Sequence, residues 1–213
     1  FAYLNTNKCS VTLDLSTDAG VRTLATLLDH VDVVIDDHES GWLGSVGLDP
    51  ACFAQSWPGV VLCSITAYGQ NPPEDRRYAE DLTVFNSSGW GYHTPGGGYD
   101  DLPPLKGPGR FLVSYEAGMD AAMCIASALY EREESRQGQF IDISKCDVMA
   151  SRTDYVLAQM LAGAMDVGTS RGAFDLGGPA GIFPCRDGYI YVWMAAPIEW
   201  EAYKRLLGNP EWA

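Results

Sequence analysis

Hydrophobic positions in the first third of the chain alternate between short runs and helical spacing. Three apolar, β-rich runs predict strands: residues 11–15, 31–35 and 60–65. After the first run, Ser16 or Thr17 can cap a helix that reaches about Asp29. Before the third run, Asp49 and Pro50 are the residue types of a helix cap and a first helical turn. This alternation predicts parallel strands joined by helices, and therefore an α/β fold with an open sheet.

The rest of the chain predicts longer helices and a hairpin. Helical patterns occupy residues 80–88, 115–134, 147–162 and 200–207, a strand pattern occupies 139–144, and a hairpin joins 182–184 to 189–194. Open α/β sheets bind ligands beyond the carboxyl ends of their strands. The segments after the second and third strands, residues 36–38 and 66–69, are therefore the first candidates for a site.

Composition narrows the possible classes of function. The 213 residues are 46% hydrophobic and 20% charged, a globular balance, with a formal net charge of −14. The 14 Lys and Arg residues are scattered, which argues against a nucleic-acid binder. No uncharged run is long enough for a membrane span, and the first residues do not form a secretory signal. We expect a cytoplasmic protein with no membrane or nucleic-acid partner.

Cysteine and histidine spacing gives no sign of a metal site. The six cysteines include no Cys-x-x-Cys pair, and only three histidines accompany them. We therefore expect no metal and six reduced thiols, as in a reducing compartment.

Short motifs follow one another along essentially the whole chain in a fixed order. They are residues 4–8 with 11–15, 32–35 with Gly41, 65–69, Asp81 with 88–89, 117–118, 128–132, 138–144, 187–190 and Trp200. As an ordered set they resemble the class III coenzyme A-transferase family, also called the L-carnitine dehydratase and bile-acid-inducible protein family, which includes formyl-CoA transferase-like proteins. Family members are longer at both ends, so the chain resembles an internal segment: a fragment, a cleaved product or part of a tandem protein.

The resemblance implies a fold and an assembly. It implies a Rossmann-like open parallel sheet with long helices in residues 1–165, the large domain without its N-terminal part. Residues 166–213 would be a linker and the start of a smaller second domain that lacks its C-terminal part. The whole protein is expected to be an interlocked homodimer.

The implied activity is movement of coenzyme A between an acyl-CoA thioester and a carboxylic acid. Relatives use an aspartate that attacks the thioester, because a carboxylate is ionised at neutral pH and its anhydride stays reactive. Four residues before Gly118, where that aspartate would stand, this chain has Ser114. Three interpretations remain open: an inactive acyl-CoA-binding or structural half of a tandem or dimeric protein, altered chemistry, or replacement of the aspartate by Glu116. Ser114 could also simply cap the long helix.

Relatives that racemise acyl-CoA use a histidine together with the aspartate. Glu80 and Ser114 hold those two places here. A single carboxylate cannot present an acid and a base on opposite faces of one carbon, so racemisation is disfavoured. Glu80 remains a catalytic candidate or a solvated helix residue, and a CoA-thioester lyase or dehydratase remains an alternative activity.

The resemblance also implies residues that bind coenzyme A as substrate: Leu4, Asn5, Thr6, Asn7, Lys8, Asp37, His38, Tyr78 and Asp81. Lys8 could neutralise a phosphate or be an ordinary surface lysine, and Asp81 could instead cap a helix. A glycine-rich loop at residues 172–178, with Gly177 and Gly178 adjacent, would close over the reacting group or serve as a plain connection.

Overall fold

The computed structural model describes residues 2–93, 111–152, 161–163, 181–192, 194 and 196–212. Contacts divide the chain into two compact units: the first is Phe1–Ala79 with Ser114–Val148, and the second is Glu80–Val113 with Met149–Ala213. The predicted domain boundary after residue 165 lies outside the described residues and stays a prediction.

Helices and strands alternate along the described chain. The α-helices are α1 (Asp18–Leu28), α2 (Trp42–Ser45), α3 (Pro50–Ser56), α4 (Asp81–Ser87), α5 (Trp90–His93), α6 (Leu112–Ser135), α7 (Lys145–Ser151) and α8 (Pro197–Leu206). The strands are β1 (Val33–Asp36), β2 (Val61–Thr66), β3 (Phe140–Ser144), β4 (Gly181–Cys185) and β5 (Gly188–Val192). Short 3₁₀ helices occupy Ala2–Asn5 and Glu74–Arg76.

A parallel sheet organises the first unit. Its strands lie in the order β1-β2-β3, and both pairings are parallel. The middle strand β2 is the most buried of the three, with five of its six residues buried. The predicted α/β fold with a parallel sheet is therefore confirmed.

Apolar side chains pack on both faces of this sheet. On one face, Ala117 and Ala121 of α6 form a buried cluster with Cys63 and Ile143. On the other face, Leu62 packs with residues of α1, α3 and the segment between them, which are Leu28, Leu48 and Phe53. The alternation of Leu62 and Cys63 follows from the two-residue period of a strand.

The helix caps predicted from the sequence are present in α1 and α3. The Thr17 side chain accepts a hydrogen bond from the backbone N–H of Gly20, and the Asp49 side chain accepts one from Cys52. Each bond satisfies an N–H group that the first helical turn leaves unpaired.

Two cap interpretations were wrong. Helix α4 has Glu80 at its N-cap position, so Asp81 is the first helical residue and not the cap. Helix α6 begins at Leu112, three residues earlier than predicted, which places Ser114 within the first turn rather than before it.

The strand expected at residues 11–15 does not form among the described residues. Val11 is 64% exposed, and the backbone turns at Asp14. The Asp14 carbonyl accepts from Thr17, and its carboxylate accepts from the hydroxyl and backbone N–H of Ser16, which lowers the pKa of that carboxyl. A strand needs a neighbouring strand for its hydrogen bonds, and here local side-chain bonds take that place.

Three close contacts fix the amino-terminal side of the sheet. Arg132 of α6 donates to the Gly59 carbonyl at 2.7 Å and pairs with the Asp32 carboxylate at 2.8 Å. The N–H of Gly138 donates to the Pro58 carbonyl at 2.6 Å. A Cβ atom at Gly138 would collide with the backbone carbonyl of Val60, so glycine is required where the chain enters β3.

The second unit contains the predicted hairpin. Strands β4 and β5 pair antiparallel, and Cys185 faces Gly188 across a two-residue turn at Arg186 and Asp187. In the same unit, the Trp90 indole donates to the Met149 carbonyl at 2.9 Å. Helix α7 begins two residues before its predicted start, and the predicted part from residue 153 to 160 lies outside the described residues.

We predict that Gly138→Ala lowers the free energy of unfolding of the full-length protein by about 1–3 kcal/mol, because the methyl group overpacks against Val60. Gly118→Ala is the matched control. Gly118 is exposed within α6, and no atom lies within 4 Å of the position that a Cβ would take. Alanine there should therefore raise the free energy of unfolding by about 0.5–1 kcal/mol. Urea unfolding checks both, and equal midpoints for the two variants would refute the predicted collision.

Candidate active site at the carboxyl edge of the sheet

Polar side chains are buried at the carboxyl ends of all three parallel strands. Among the described residues the buried polar side chains are Asp36, Ser40, Ser64, Thr66 and Ser144. Asp36, Ser64 and Asp142 lie side by side across the sheet, and Thr66 pairs with Ser144 in the next row. Burial of polar groups is costly unless partners satisfy them, so their concentration at one edge marks a candidate site.

Asp36 fixes the turn that follows β1. Its Oδ1 lies 2.6 Å from Nδ1 of His38, and its Oδ2 accepts from the Ser64 hydroxyl at 3.4 Å. The His38 ring also stacks on Trp42, with ring centroids 3.6 Å apart and planes 8° from parallel. The carboxylate is 7% exposed, so these partners offset the cost of its burial.

Gln70 connects the loop after β2 to its surroundings. Its side-chain amide donates to Ser64 at 2.7 Å, its backbone N–H donates to the Asp142 carboxylate at 3.0 Å, and its carbonyl accepts from Ser40 at 2.6 Å. The preceding Gly69 has φ +79°, a conformation that side chains other than glycine rarely adopt. The loop is therefore fixed by contacts to residues on or after each of the three strands.

A cavity of about 370 Å³ opens beside this loop. It is lined by Tyr68, Gly69, Gln70, Asn71, Asp142, Ile143, Ser144, Asp147 and Val148. Its volume is in the range of small-molecule pockets. Thr66, at the end of β2, has a buried hydroxyl for which the described residues supply no hydrogen-bond partner. Two of the four residues in the predicted ligand segment 66–69, Tyr68 and Gly69, thus line a cavity.

Ser114 lies at the same edge of the sheet, on the α6 side. It is half-buried in the first turn of α6, and the Lys145 ammonium donates to its hydroxyl at 3.3 Å. Lys145 is the first residue of α7 and directly follows the last residue of β3. Ala117, one turn along α6, is fully buried against Cys63 and anchors the helix there. Ser114 therefore sits at the carboxyl end of β3.

Glu116, the alternative nucleophile, is also half-buried in α6. It follows Ser114 by two positions, and residues two apart on a helix do not face each other. Its role stays a prediction.

The residues expected to bind coenzyme A are mostly exposed in the first unit. Leu4 and Asn5 end a 3₁₀ helix, and the Lys8 ammonium donates to the Asn5 side chain at 3.2 Å. Thr6 and Asn7 lie between them, with Asn7 at φ 61°. The segment therefore presents a cation and neutral amides on one short turn.

The other predicted residues are spread over both units. Asp37 is exposed beside the anchored His38, and Tyr78 is 70% exposed. Glu80 and Asp81 start α4 in the second unit. Gly177 and Gly178 lie outside the described residues. None of these placements tests a binding or catalytic role, and all of those roles stay predictions.

Sequence reasoning missed Lys145, Gln70, Asp142 and Ser64 as residues of this edge. A lysine directly after an apolar strand was a usable signal, since polar residues at a strand's carboxyl end point to a site. Gln70 had no such signal, because its three contacts come from residues that are distant in sequence.

The described residues contain no group of three or more His, Cys, Asp or Glu that could hold a metal ion. All six cysteines are free thiols. Burial raises the pKa of the Cys63 thiol to about 11 and also raises that of Cys146. In the part of the chain that the structure describes, no helix combines the length and apolarity needed to cross a membrane.

Comparisons with known proteins agree on one family. The sequence model of CoA-transferase family III matches residues 1–213. The probable CoA-transferase Rv1866 of Mycobacterium tuberculosis is 30% identical, over 99% of this chain and 26% of that protein. The succinyl-CoA:glutarate CoA-transferase of Mus musculus is 27% identical, over 99% of this chain and 48% of that protein. The crystal structure of Rv3272 from Mycobacterium tuberculosis matches with a TM-score of 0.75 at 27% identity, over 96% of this chain and 53% of that one.

The chain is thus shorter than the proteins it matches. It spans about half the length of two of them and about a quarter of the third.

We predict that Asp36→Asn lowers the free energy of unfolding by about 1–3 kcal/mol, because an amide cannot accept bonds from both His38 and Ser64 as the carboxylate does. Asp37→Asn is the control. The Asp37 carboxylate is next in sequence but exposed, so this substitution should change the free energy of unfolding by less than about 0.5 kcal/mol. Urea midpoints of the full-length variants measure the difference. Equal effects of the two substitutions would show that the buried carboxylate does not stabilise the edge.

Proposed function

The chain belongs to CoA-transferase family III, whose sequence model matches it from residue 1 to 213, and from this membership we propose that the whole protein moves coenzyme A between an acyl-CoA thioester and a carboxylic acid. The full-length match is the observation that carries the proposal. The name of the mouse relative states one such pair, succinyl-CoA as donor and glutarate as acceptor. Neither partner molecule is assigned to this chain.

The geometry of the carboxyl edge supports a small-molecule site there. The cavity beside Gln70 lies where open α/β sheets bind their ligands. Its lining includes the carboxylates of Asp142 and Asp147, which repel phosphate. We therefore assign the phosphate contact of coenzyme A to Lys8, supported by the amides of Asn5 and Asn7. Asp37, His38, Tyr78 and Asp81 remain the other proposed contacts.

Ser114 cannot perform the aspartate route that the family resemblance implies. A hydroxyl needs an activating base, and the ester it would form reacts far less readily than an anhydride. Its position in the first turn of α6, beside Lys145, still places it at the carboxyl edge where the reaction is proposed. The residue at position 114 is therefore the main determinant of whether and how this protein transfers coenzyme A.

A second candidate is a catalytically inactive half of a longer protein. The relative at 30% identity is roughly 830 residues long, since 215 aligned residues make up 26% of it. A protein of that length has room for two copies of a family-length chain. In such a protein the present chain would bind acyl-CoA or support an active half without reacting itself.

We include an interlocked homodimer and a cytoplasmic location in the proposal. Large apolar side chains are exposed on the chain by itself, among them Ile35 at 60%, Met119 at 62% and Met123 at 61%. Apolar surface of this extent commonly marks an interface. Six free thiols fit a reducing compartment.

We predict that Ser114→Asp raises CoA transfer by the full-length protein by about 10-fold or more, because a carboxylate can form the reactive anhydride. Incubation with acyl-CoA followed by hydroxylamine or borohydride should trap an aspartyl adduct in this variant. Ser127→Asp is the control, since Ser127 is exposed on the same helix.

Three results would overturn parts of this proposal. A wild-type protein as fast as Ser114→Asp would place the nucleophile elsewhere, and Glu116→Gln would then test the next candidate. Activity that rises equally in Ser127→Asp would show a general effect of charge. If neither wild type nor variant binds acyl-CoA, both the transferase and the inactive-half proposals fall. The carboxylates of Asp36, Asp37 and Glu39, which repel the phosphates of coenzyme A, would then account for the lost site.

We also predict that the full-length protein is a dimer that buries more than about 2,000 Å² in total, as obligate interfaces do. Light scattering coupled to size-exclusion chromatography measures the mass directly. A stable, folded monomer across micromolar concentrations would rule out the obligate dimer.

A further inference from the structure

The imidazole ring of His38 is held both at its edge and on its face. Its Nδ1 lies 2.6 Å from Oδ1 of Asp36, and the ring stacks on Trp42 with centroids 3.6 Å apart. A carboxylate can only accept hydrogen bonds, so Nδ1 carries the proton of the neutral ring and Nε2 carries the lone pair. The contact with Asp36 therefore selects one tautomer of His38 as well as one orientation of its ring.

The Asp36 carboxylate is itself fixed by a chain of hydrogen bonds. Its side chain is 6% exposed, and its Oδ2 accepts from the Ser64 hydroxyl at 3.4 Å. The Ser64 hydroxyl in turn accepts from the side-chain amide of Gln70 at 2.7 Å. These partners offset the cost of burying the carboxylate and keep it in one position. The turn after β1 thus presents an imidazole on a fixed support.

The second ring nitrogen of His38 faces no protein partner in the part of the chain that the structure describes. There the contacts of His38 are with Asp36 and Trp42, and none of them involves Nε2. The side chain is 49% exposed, so water can reach it. Nε2 can accept a proton from such a water molecule, and the positive charge that the ring then gains lies against the Asp36 carboxylate.

This arrangement is the base half of a Ser-His-Asp triad. In the triad, a buried aspartate orients the histidine through Nδ1, and Nε2 removes a proton from the nucleophile. Here the described residues place no hydroxyl or thiol on Nε2 of His38. Water is therefore the nucleophile that the geometry fits, and hydrolysis is the corresponding reaction.

We propose that Asp36 and His38 form a general-base dyad with which this protein hydrolyses acyl-CoA thioesters. The inference rests on the acyl-CoA binding of the proposed function, but it needs no carboxylate at position 114. Strands β1 and β3 are separated by β2, so their carboxyl ends lie about 10 Å apart. The dyad after β1 is thus a second reaction point on the edge, distinct from Ser114 at the end of β3.

The reaction is balanced with water as the co-reactant. The water oxygen adds to the carbonyl carbon of the thioester while its proton passes to Nε2 of His38. The carbon–sulfur bond then breaks, and the electron pair leaves with the sulfur. The imidazolium returns its proton to the thiolate, so the products are a carboxylic acid and coenzyme A. His38 is the catalytic residue because it contacts the reacting water, and Asp36 is a positioning residue.

Hydrolysis of acetyl-CoA by the full-length protein, without any acceptor acid, tests the dyad. Chromatography of the released coenzyme A measures the rate. His38→Gln should lower kcat by about 100-fold or more, the usual contribution of a general base. His30→Gln is the matched control, because His30 is exposed just after α1 and has no carboxylate contact among the described residues. Its hydrolysis should equal that of wild type.

Added imidazole separates a chemical role of His38 from a structural one. In His38→Gly, free imidazole should restore hydrolysis of acetyl-CoA by about 10-fold or more, because it can occupy the vacated place and act as the base. The same concentration should leave hydrolysis by His30→Gly unchanged.

Nitrogen-15 magnetic resonance of the three histidine rings tests the role of Asp36 without an activity measurement. Under conditions in which the rings are neutral, wild-type His38 should carry its proton on Nδ1. Asp36→Asn should shift the population towards the form protonated on Nε2, because an amide can donate to Nδ1. A wild-type His38 protonated on Nε2 would overturn the dyad.

Three kinetic results would also overturn it. They are wild-type hydrolysis no faster than the spontaneous reaction, equal kcat for wild type and His38→Gln, and no imidazole rescue of His38→Gly, with circular dichroism showing folded variants. Calorimetric titration with acetyl-CoA separates this inference from the proposed function. Binding and transfer without hydrolysis would remove the dyad alone, and hydrolysis that depends on His38 without transfer to any acid would remove the transferase alone. Absence of acetyl-CoA binding would remove both.

Discussion

Parallel pairing of β1, β2 and β3 is the constraint on which the first unit depends. Because the three strands run in one direction, their carboxyl ends meet at a single edge. Asp36, Thr66 and Ser144 end those strands, so the polar residues are brought together by topology rather than by sequence proximity. The apolar positions of β2 then fix which faces are packed, with Cys63 against α6 and Leu62 against α1 and α3.

The loops at this edge gain their shape from the buried polar groups. Gln70 touches residues on or after each strand, and Asp36 holds His38, which in turn stacks on Trp42. Apart from the Thr66 hydroxyl, the buried polar side chains of this edge have partners among the described residues, and such satisfied groups favour one conformation of the loops. The packing of Ala117 on Cys63 positions α6, and with it the Ser114–Lys145 pair. Stability and the proposed chemistry therefore share the same few contacts.

Local features of the fold could be predicted from the sequence, and non-local ones could not. The caps at Thr17 and Asp49 and the hairpin of β4 and β5 depend on residues a few positions apart, and they formed as expected. The strand at residues 11–15 failed because strand formation needs a partner that no local pattern specifies. Helix α6 began earlier than expected because no distinct cap residue precedes Leu112 in the pattern.

The same distinction applies to the candidate site. The segments after β1 and β2 could be identified from strand order alone, and Ser114 could be singled out only through the family resemblance. Its contact with Lys145 spans 31 residues and depends on how α6 packs on the sheet, which the sequence pattern does not reveal. The roles of the two Gly-rich loop residues and of the exposed segment from Leu4 to Lys8 still rest on resemblance.

The chemistry at position 114 can be followed most directly by one turnover of full-length wild type and Ser114→Asp with an acceptor acid carrying ¹⁸O in its carboxylate. Attack by a carboxylate at position 114 returns one acceptor oxygen to that side chain, so ¹⁸O ends on the protein and none in the released donor acid, as mass spectrometry detects. We predict this pattern for Ser114→Asp and an unlabelled protein for wild type. Equal ¹⁸O labelling of the two proteins would show that a different side chain attacks the thioester and that position 114 does not determine the chemistry.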